Sequence, residues 1–97
     1  MDQTFDEIRK LAEQGLTACQ IELGNCYLTG TNVGDRKLPQ DYAEARRWLG
    51  TAHKKGASTA TFMLGTMYEE GKGLPVDVKK AIKYYKTAVE RQTSSQP

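Results

Sequence analysis

A chain of 97 residues suits one small domain, and 38% hydrophobic with 27% charged residues is an ordinary balance for a soluble protein. There is no long apolar run and no basic-then-apolar leader after Met1. The sequence therefore predicts neither a membrane span nor a signal peptide, and we expect a cytoplasmic location. The net charge of +2 is too small to indicate nucleic-acid binding by itself. Residues 1–48 hold six Lys/Arg against eight Asp/Glu, whereas residues 49–97 hold eight against four.

The first predicted element is an amphipathic helix within residues 1–14, ended by Gly15. Its apolar positions are Phe5, Ile8, Leu11 and Ala12. Three of them have the spacing of a later apolar stripe, formed by Ala45, Trp48 and Ala52. We therefore interpret residues 1–14 as a capping helix, the second half of a degenerate repeat.

An internal repeat organises the rest of the chain. Cys19–Gly30 reads CQIELGNCYLTG and Ala60–Gly71 reads ATFMLGTMYEEG, so both follow small-x-x-x-Leu-Gly-x-x-Tyr-x-x-Gly at an offset of 41. A second pattern, at an offset of 36, comprises Asp41, Ala45, Trp48 and Ala52, which return as Asp77, Ala81, Tyr84 and Ala88. The unequal offsets indicate two repeats, residues 15–55 and 56–92, that differ in the length of one loop.

Each repeat is predicted to hold two helices. The first helix of the first repeat should stop at Gly30, and the second should begin at Asp41, whose side chain can cap free N–H groups. Asp77 repeats this cap at the start of the last helix, which should run to about Arg91. Residues 93–97 are predicted to be a disordered tail.

A glycine recurs in the middle of each first helix, as Gly24 and Gly65. A mid-helix glycine costs about 1 kcal/mol relative to alanine. The recurrence therefore predicts that the backbone of the partner helix approaches closely at both positions.

Each repeat combines three patterns in order: A-x-x-x-L-G-x-x-Y-x-x-G, a loop with L-P-x-D, and A-x-x-W/Y-x-x-x-A. Together these patterns resemble the Sel-1-like repeat family, which is related to tetratricopeptide repeats. The resemblance covers two full copies and a weaker half copy before them. It implies an all-α, right-handed α/α solenoid of about five helices in antiparallel pairs, with the first helices lining a concave face. It also implies an adaptor or scaffold that binds other proteins. The departures are Cys19 in place of the usual alanine and the long first loop.

We assign no catalytic, cofactor-binding or metal-binding residues from the sequence. Cys19 and Cys26 are about 10.5 Å apart along one helix, too far for a disulfide or a shared metal ion, and His53 is the only histidine. The glycines around Lys72 end a helix, whereas a phosphate-binding loop must begin one. A hydrolase, the least favoured alternative, would require an acid or nucleophile beside a base, and no such set stands out.

The resemblance directs attention to the exposed side of the first helices. The residues predicted to contact a partner are Glu22, Asn25, Thr29, Met63, Thr66 and Glu70. Both first helices contain glutamate but no Lys or Arg, so we expect a neutral or basic protein or peptide segment to bind there. The long loop, Thr31–Gln40, is a second candidate for partner contacts, and its alternative interpretation is tolerated length variation.

Two features of the last helix complete the predictions. Its lysines, Lys79, Lys80, Lys83 and Lys86, are interpreted as solvated surface, and without a stacking platform no nucleic-acid partner is expected. Its second apolar strip, Ile82, Tyr85 and Val89, is a candidate for homodimer formation, because two and a half repeats make a marginal core. The alternative is that Tyr85 and Val89 bend into the intramolecular core.

The predicted function is therefore a non-enzymatic protein-interaction module, an adaptor or scaffold without a cofactor. The principal alternative is an immunity or antitoxin protein that neutralises a bacterial effector, which would need one tight partner.

Overall fold

A computed structural model of the chain describes residues 4–33 and 35–94, and helices make up nearly all of its secondary structure. The helices are α1 (Phe5–Glu13), α2 (Thr17–Thr29), α3 (Tyr42–Lys54), α4 (Ser58–Glu70) and α5 (Val78–Ser94). Two short strands, β1 (Asn32–Val33) and β2 (Arg36–Lys37), lie between α2 and α3. The predicted α/α solenoid is confirmed, with the small hairpin as an addition.

The helix ends follow from local side-chain chemistry. Asp41 accepts a hydrogen bond from the Glu44 backbone N–H at 3.1 Å, and Asp77 accepts the equivalent bond from Lys80 at 3.0 Å. Such caps stabilise a helix by about 1 kcal/mol each. Gly30 ends α2 in the left-handed conformation, with φ of 73°. The sequence-based helix ends at these positions are therefore correct.

A capping box at the start of α1 was not anticipated. The Thr4 hydroxyl accepts a hydrogen bond from the Glu7 backbone N–H at 3.2 Å, and the Glu7 carboxylate accepts from the Thr4 N–H at 3.3 Å. The signal was present in the sequence, because Thr4 and Glu7 have the S/T-x-x-E spacing of this motif.

Helices that are adjacent in sequence pack against each other from α1 to α5. Successive second helices are also neighbours, α1 beside α3 and α3 beside α5. Trp48 of α3 packs in one cluster with Phe5 and Ile8 of α1, and Arg91 of α5 donates a hydrogen bond to the His53 carbonyl of α3 at 2.8 Å. The molecule measures 38 × 36 × 18 Å, a thickness close to two layers of helix at roughly 10 Å each.

Two apolar clusters form the core. The first joins α1, α2, the hairpin and Trp48, and the second joins α2, α3 and α4 through residues such as Leu49, Leu64 and Met67. Full burial of a large apolar side chain stabilises a fold by about 1.5–3 kcal/mol. Because each cluster bridges successive helix pairs, the helices are held as one continuous stack.

Side chains, rather than a bare backbone, occupy the space beside the two mid-helix glycines. A Cβ added at Gly24 would lie 2.6 Å from Leu49 Cγ, and one at Gly65 would lie 2.7 Å from Tyr85 Cε1. At Gly24 the nearest backbone atom, the Ala45 carbonyl oxygen, is farther away at 3.4 Å. The partner helix does approach closely at both glycines, as predicted. The prediction that its backbone makes the nearest contact was wrong, because a side chain of the partner helix lies in the space beside each glycine.

The long first loop folds onto the core. Its hairpin pairs β1 antiparallel to β2, and Val33 and Leu38 are buried with 1% and 4% of their surface exposed. The Asp35 carboxylate accepts a hydrogen bond from the Phe5 backbone N–H at 3.0 Å, so the loop also helps to satisfy the start of α1. The extra residues therefore seal the first core cluster.

Polar side chains recur at the junctions between helix pairs. Gln20 and Thr61 occupy equivalent positions in α2 and α4, and both are buried. The Gln20 amide donates to the Ala12 carbonyl of α1 at 3.0 Å, and the Thr61 hydroxyl lies 2.8 Å from Nδ1 of His53 on α3. These bonds connect each first helix to a second helix outside its own antiparallel pair.

The chain ends differ slightly from expectation. Helix α5 continues through Ser94 and so includes two residues of the predicted tail. Residues 95–97 of that tail, and residues 1–3 of the predicted capping helix, lie outside the described residues. Within the described part of the chain, none of the helices combines the length and apolarity needed to cross a membrane.

Candidate protein-binding surface

We define the first-helix strip as the predicted contact residues Glu22, Asn25, Thr29, Met63, Thr66 and Glu70. On α2 its three members are exposed and spaced so that they share one side of the helix. The Thr29 hydroxyl donates to the backbone carbonyl of Asn25 at 3.0 Å, and the Asn25 and Glu22 residues are exposed. The α2 part of the strip is thus polar and accessible.

On α4 the strip is more enclosed. Met63 and Thr66 are half-buried, and Met63 packs against the second core cluster. The hydroxyl oxygens of Thr66 and Tyr85 are 3.3 Å apart, whereas Glu70 is exposed and pairs with Lys72 at 3.2 Å. The α4 part therefore combines an apolar edge with one accessible carboxylate.

Charge is sparse on both first helices. Together α2 and α4 contain three charged residues, Glu22, Glu69 and Glu70, whereas α5 alone contains six. Depletion of charge with retention of aromatic residues and methionine is the compositional mark of a protein interface. Most residues of α2 and α4 are buried or half-buried, and the exposed charged residues of both helices are all glutamates.

Phe62 is a member of this surface that the sequence reasoning missed. It is 55% exposed, and its ring lies 5.0 Å from the Tyr85 ring. Its equivalent in α2, Ile21, is half-buried against the second cluster. The repeat offset of 41 aligns Phe62 with Ile21 and could have identified it. Neighbouring helices partly cover Ile21 on α2, whereas the equivalent position on α4 is exposed.

The terminal strip, Ile82, Tyr85 and Val89, is only partly available for self-association. Ile82 and Val89 are 46% and 59% exposed, but the Tyr85 ring fills the notch at Gly65. The Tyr85 hydroxyl donates to Glu69 at 2.6 Å, and burial, with that bond, raises the pKa of the Tyr85 phenol. Tyr85 therefore packs within the chain, and the exposed part of the strip is aliphatic.

The two cysteines are both buried and free. Burial raises the pKa of the Cys19 thiol, and the nearby Glu22 carboxylate raises it further. The Cys26 thiol contacts the Asn32 carbonyl at 3.6 Å. Cys19 is therefore a protonated thiol at neutral pH, and because both cysteines are buried neither belongs to an exposed reactive site.

The remaining candidates divide between the hairpin and α5. Val33 and Leu38 of the long loop point into the core, while Arg36 lies over the Phe5 ring at 4.6 Å, so only its polar residues are accessible. The α5 lysines are all exposed. Among the described residues, no group of three or more His, Cys, Asp or Glu side chains is arranged to hold a metal ion.

Comparison with known families assigns this architecture. The family model described as Sel1 repeat matches residues 17–56 and 58–92. The chain belongs to the Sel1 repeat family. The resemblance that the repeated motifs indicated is thereby confirmed, and Sel1 repeats are non-catalytic protein-interaction scaffolds.

Solved Sel1 structures share the fold. One is a protective antigen present in uropathogenic Escherichia coli strains, described as displaying an SLR fold, with a TM-score of 0.78 and 41% identity over 89% of this chain and 17% of that chain. Another is a Sel1 repeat protein from Oxalobacter formigenes, with a TM-score of 0.71 and 31% identity over 86% of this chain and 59% of the other.

Curated Sel1 relatives are much longer proteins. The chain is 30% identical over 86 residues to HRD3B of Arabidopsis thaliana, an ERAD-associated E3 ubiquitin-protein ligase component, and matches 89% of its own length to 13% of that protein. It is 32% identical over 82 residues to chitin synthase regulatory factor 3 of Schizosaccharomyces pombe, with 84% and 8% covered. The chain thus spans less than one sixth of the length of these curated relatives.

Proposed function

We propose that this Sel1 chain is a non-enzymatic adaptor that binds a protein or peptide segment along its first-helix strip. The observation that supports the proposal best is the large aromatic side chain of Phe62, which is 55% exposed on α4, where every exposed charged residue is a glutamate. The three glutamates favour a neutral or basic segment.

The relatives support the same class of function. One is named as a component of a ubiquitin ligase and another as a regulatory factor of an enzyme, so both are described by their relation to other proteins. Phe62 supplies the aromatic anchor that protein interfaces commonly use, and Met63 beside it supplies an adaptable apolar contact. The expected ligand therefore combines an apolar side chain with at least one positive charge.

Selection from a displayed library of random 12-residue peptides tests the proposal. Peptides that bind the purified chain are then measured by fluorescence anisotropy against Glu22→Lys/Glu70→Lys. This pair reverses the accessible charge of the strip and leaves Glu69, which bonds to Tyr85, intact. We expect about a tenfold loss of affinity, since each reversal removes an attraction and adds a repulsion of under about 1 kcal/mol.

The matched control is Glu13→Lys/Glu90→Lys, which makes the same change in net charge at exposed positions on α1 and α5. It should alter affinity less than twofold. Equal losses in both double variants, or full affinity in Glu22→Lys/Glu70→Lys, would show that the strip is not the binding surface.

A further inference from the structure

A depression of about 250 Å³ lies between the second helices α3 and α5, away from the first-helix strip. We define the α3–α5 groove by its lining residues, His53, Lys80, Lys83, Tyr84 and Thr87. The Tyr84 ring stacks on Tyr68 at 5.5 Å and meets the edge of His53 at 5.3 Å. The groove therefore has an aromatic wall whose ring faces are already occupied.

The charge of the groove is positive and lacks a carboxylate partner. In the described part of the chain, neither Lys80 nor Lys83 forms an ion pair. The Lys80 ammonium lies 5.0 Å from the Tyr68 ring centroid, and it is close enough to Tyr84 to oppose the rise that burial causes in the pKa of that phenol. Both lysines thus line the groove together with Tyr84, whose phenol hydrogen-bonds to none of the described residues.

The equivalent groove of the preceding repeat lacks this excess charge. At the offset of 36, Lys80 and Lys83 correspond to Glu44 and Arg47, which pair with each other at 3.2 Å. Arg47 also covers the Trp48 ring at 4.6 Å. The fold therefore accepts a neutralised pair at these positions, so packing between second helices does not require two lysines.

Helix α3 carries further basic residues. A second depression, of about 380 Å³, is lined by Arg46, Arg47 and Lys54 together with small side chains. Lys54 also acts on the groove, because burial and then the charges of Arg91 and Lys54 lower the pKa of His53. Positive charge is thus concentrated on the second-helix side, whereas the charged residues of α2 and α4 are all glutamates.

We propose that the α3–α5 groove is a second interaction surface, which binds an acidic protein segment through Asp or Glu side chains. Lys80 and Lys83 would pair with its carboxylates, and the Tyr84 hydroxyl would donate a hydrogen bond to one of them. Stacked bases are disfavoured as ligands, because Tyr68 and His53 already contact the Tyr84 ring. This proposal does not depend on the one for the first-helix strip, so an experiment can refute either proposal and leave the other standing.

Fluorescein-labelled deca-glutamate is a suitable probe, measured by anisotropy at 50 mM and 200 mM salt. We expect Lys80→Gln/Lys83→Gln to weaken binding about fivefold to tenfold at low salt, since each exposed pair contributes modestly. The matched control, Lys79→Gln/Lys86→Gln, removes the same charge from the same helix outside the groove and should weaken binding less than twofold. Circular dichroism checks that both variants fold, and the cap at Lys80 survives because it uses the backbone N–H.

Nuclear magnetic resonance locates the bound peptide. A carboxylate beside His53 should raise the pKa of that ring, and amide shifts should change most around Lys83 and Thr87. Equal weakening in the two double variants, no binding at low salt, or an unchanged His53 pKa would each overturn the proposal. Tighter binding of a ten-nucleotide single-stranded DNA that depends on the same lysines would also overturn it, in favour of a nucleic-acid surface.

Discussion

Two glycines inside helices, Gly24 and Gly50, should respond in opposite directions to replacement by alanine. Nothing lies within 4 Å of a Cβ added at Gly50, so Gly50→Ala should gain helix propensity and stabilise the fold by about 1 kcal/mol. Gly24→Ala has the same gain, but its Cβ would lie 2.6 Å and 2.7 Å from two atoms of the fully buried Leu49. Overpacking costs about 1–3 kcal/mol, so the net result should be destabilisation by about 1 kcal/mol.

Urea unfolding followed by circular dichroism measures both variants against the parent chain. The free energies of unfolding of the two variants should differ by about 2 kcal/mol. A domain of this size shifts its melting temperature by about 4–8 °C per kcal/mol, so the two melting temperatures should lie on opposite sides of the parent value.

A third variant assigns the cause. Leu49→Ala alone should cost about 2–5 kcal/mol, because it opens a cavity in the second cluster. In the Gly24→Ala background it should cost at least about 1 kcal/mol less, since the shorter side chain removes the overlap. If Gly24→Ala stabilises the chain as much as Gly50→Ala, Leu49 moves aside at little cost, and the explanation for the recurring glycine is wrong.

Three further predictions concern the hairpin, the His53 junction and the terminal strip. Val33→Ser should destabilise the fold by about 1–3 kcal/mol in urea unfolding, because Val33 is buried, and an effect below about 0.5 kcal/mol would make the loop dispensable. The pKa of His53 is lowered in the folded chain, so the free energy of unfolding should be highest above about pH 6.5 and should fall as the pH decreases from there. His53→Asn should flatten this pH dependence, and an unchanged slope in that variant would contradict the assignment to His53. Ile82→Lys/Val89→Lys should leave the fold intact and abolish any concentration-dependent rise in mass seen by light scattering, whereas unfolding would assign both residues to the core.

The two proposed surfaces differ in the kind of partner that they would accept. The first-helix strip offers glutamates beside Phe62, and the α3–α5 groove offers lysines beside a phenol. An adaptor with surfaces of opposite charge can hold two unlike segments at once, and each is discriminated against at the other site by like charge. Joint binding of a basic and an acidic peptide, without competition between them, is the behaviour that such an arrangement would produce.

The sequence by itself determined the elements and their order. The repeat offsets, Gly30 as a helix stop and Asp41 and Asp77 as helix caps were all readable from the residues, because each depends on groups within a few positions along the chain. The capping box at Thr4 was also encoded in the same local way. The exposed positions of the first-helix strip follow from helical periodicity once the core residues of α2 and α4 are known.

Only the tertiary structure decided which neighbour fills each space. That Leu49 occupies the notch at Gly24, that Val33 seals the N-terminal core, and that Tyr85 is held by Thr66 and Glu69 all depend on residues distant in sequence. The α3–α5 groove also depends on tertiary packing, because its lysines line a groove only when His53 of the preceding repeat lies beside them. Periodicity specifies a helix face, whereas the packing of several helices determines what that face meets.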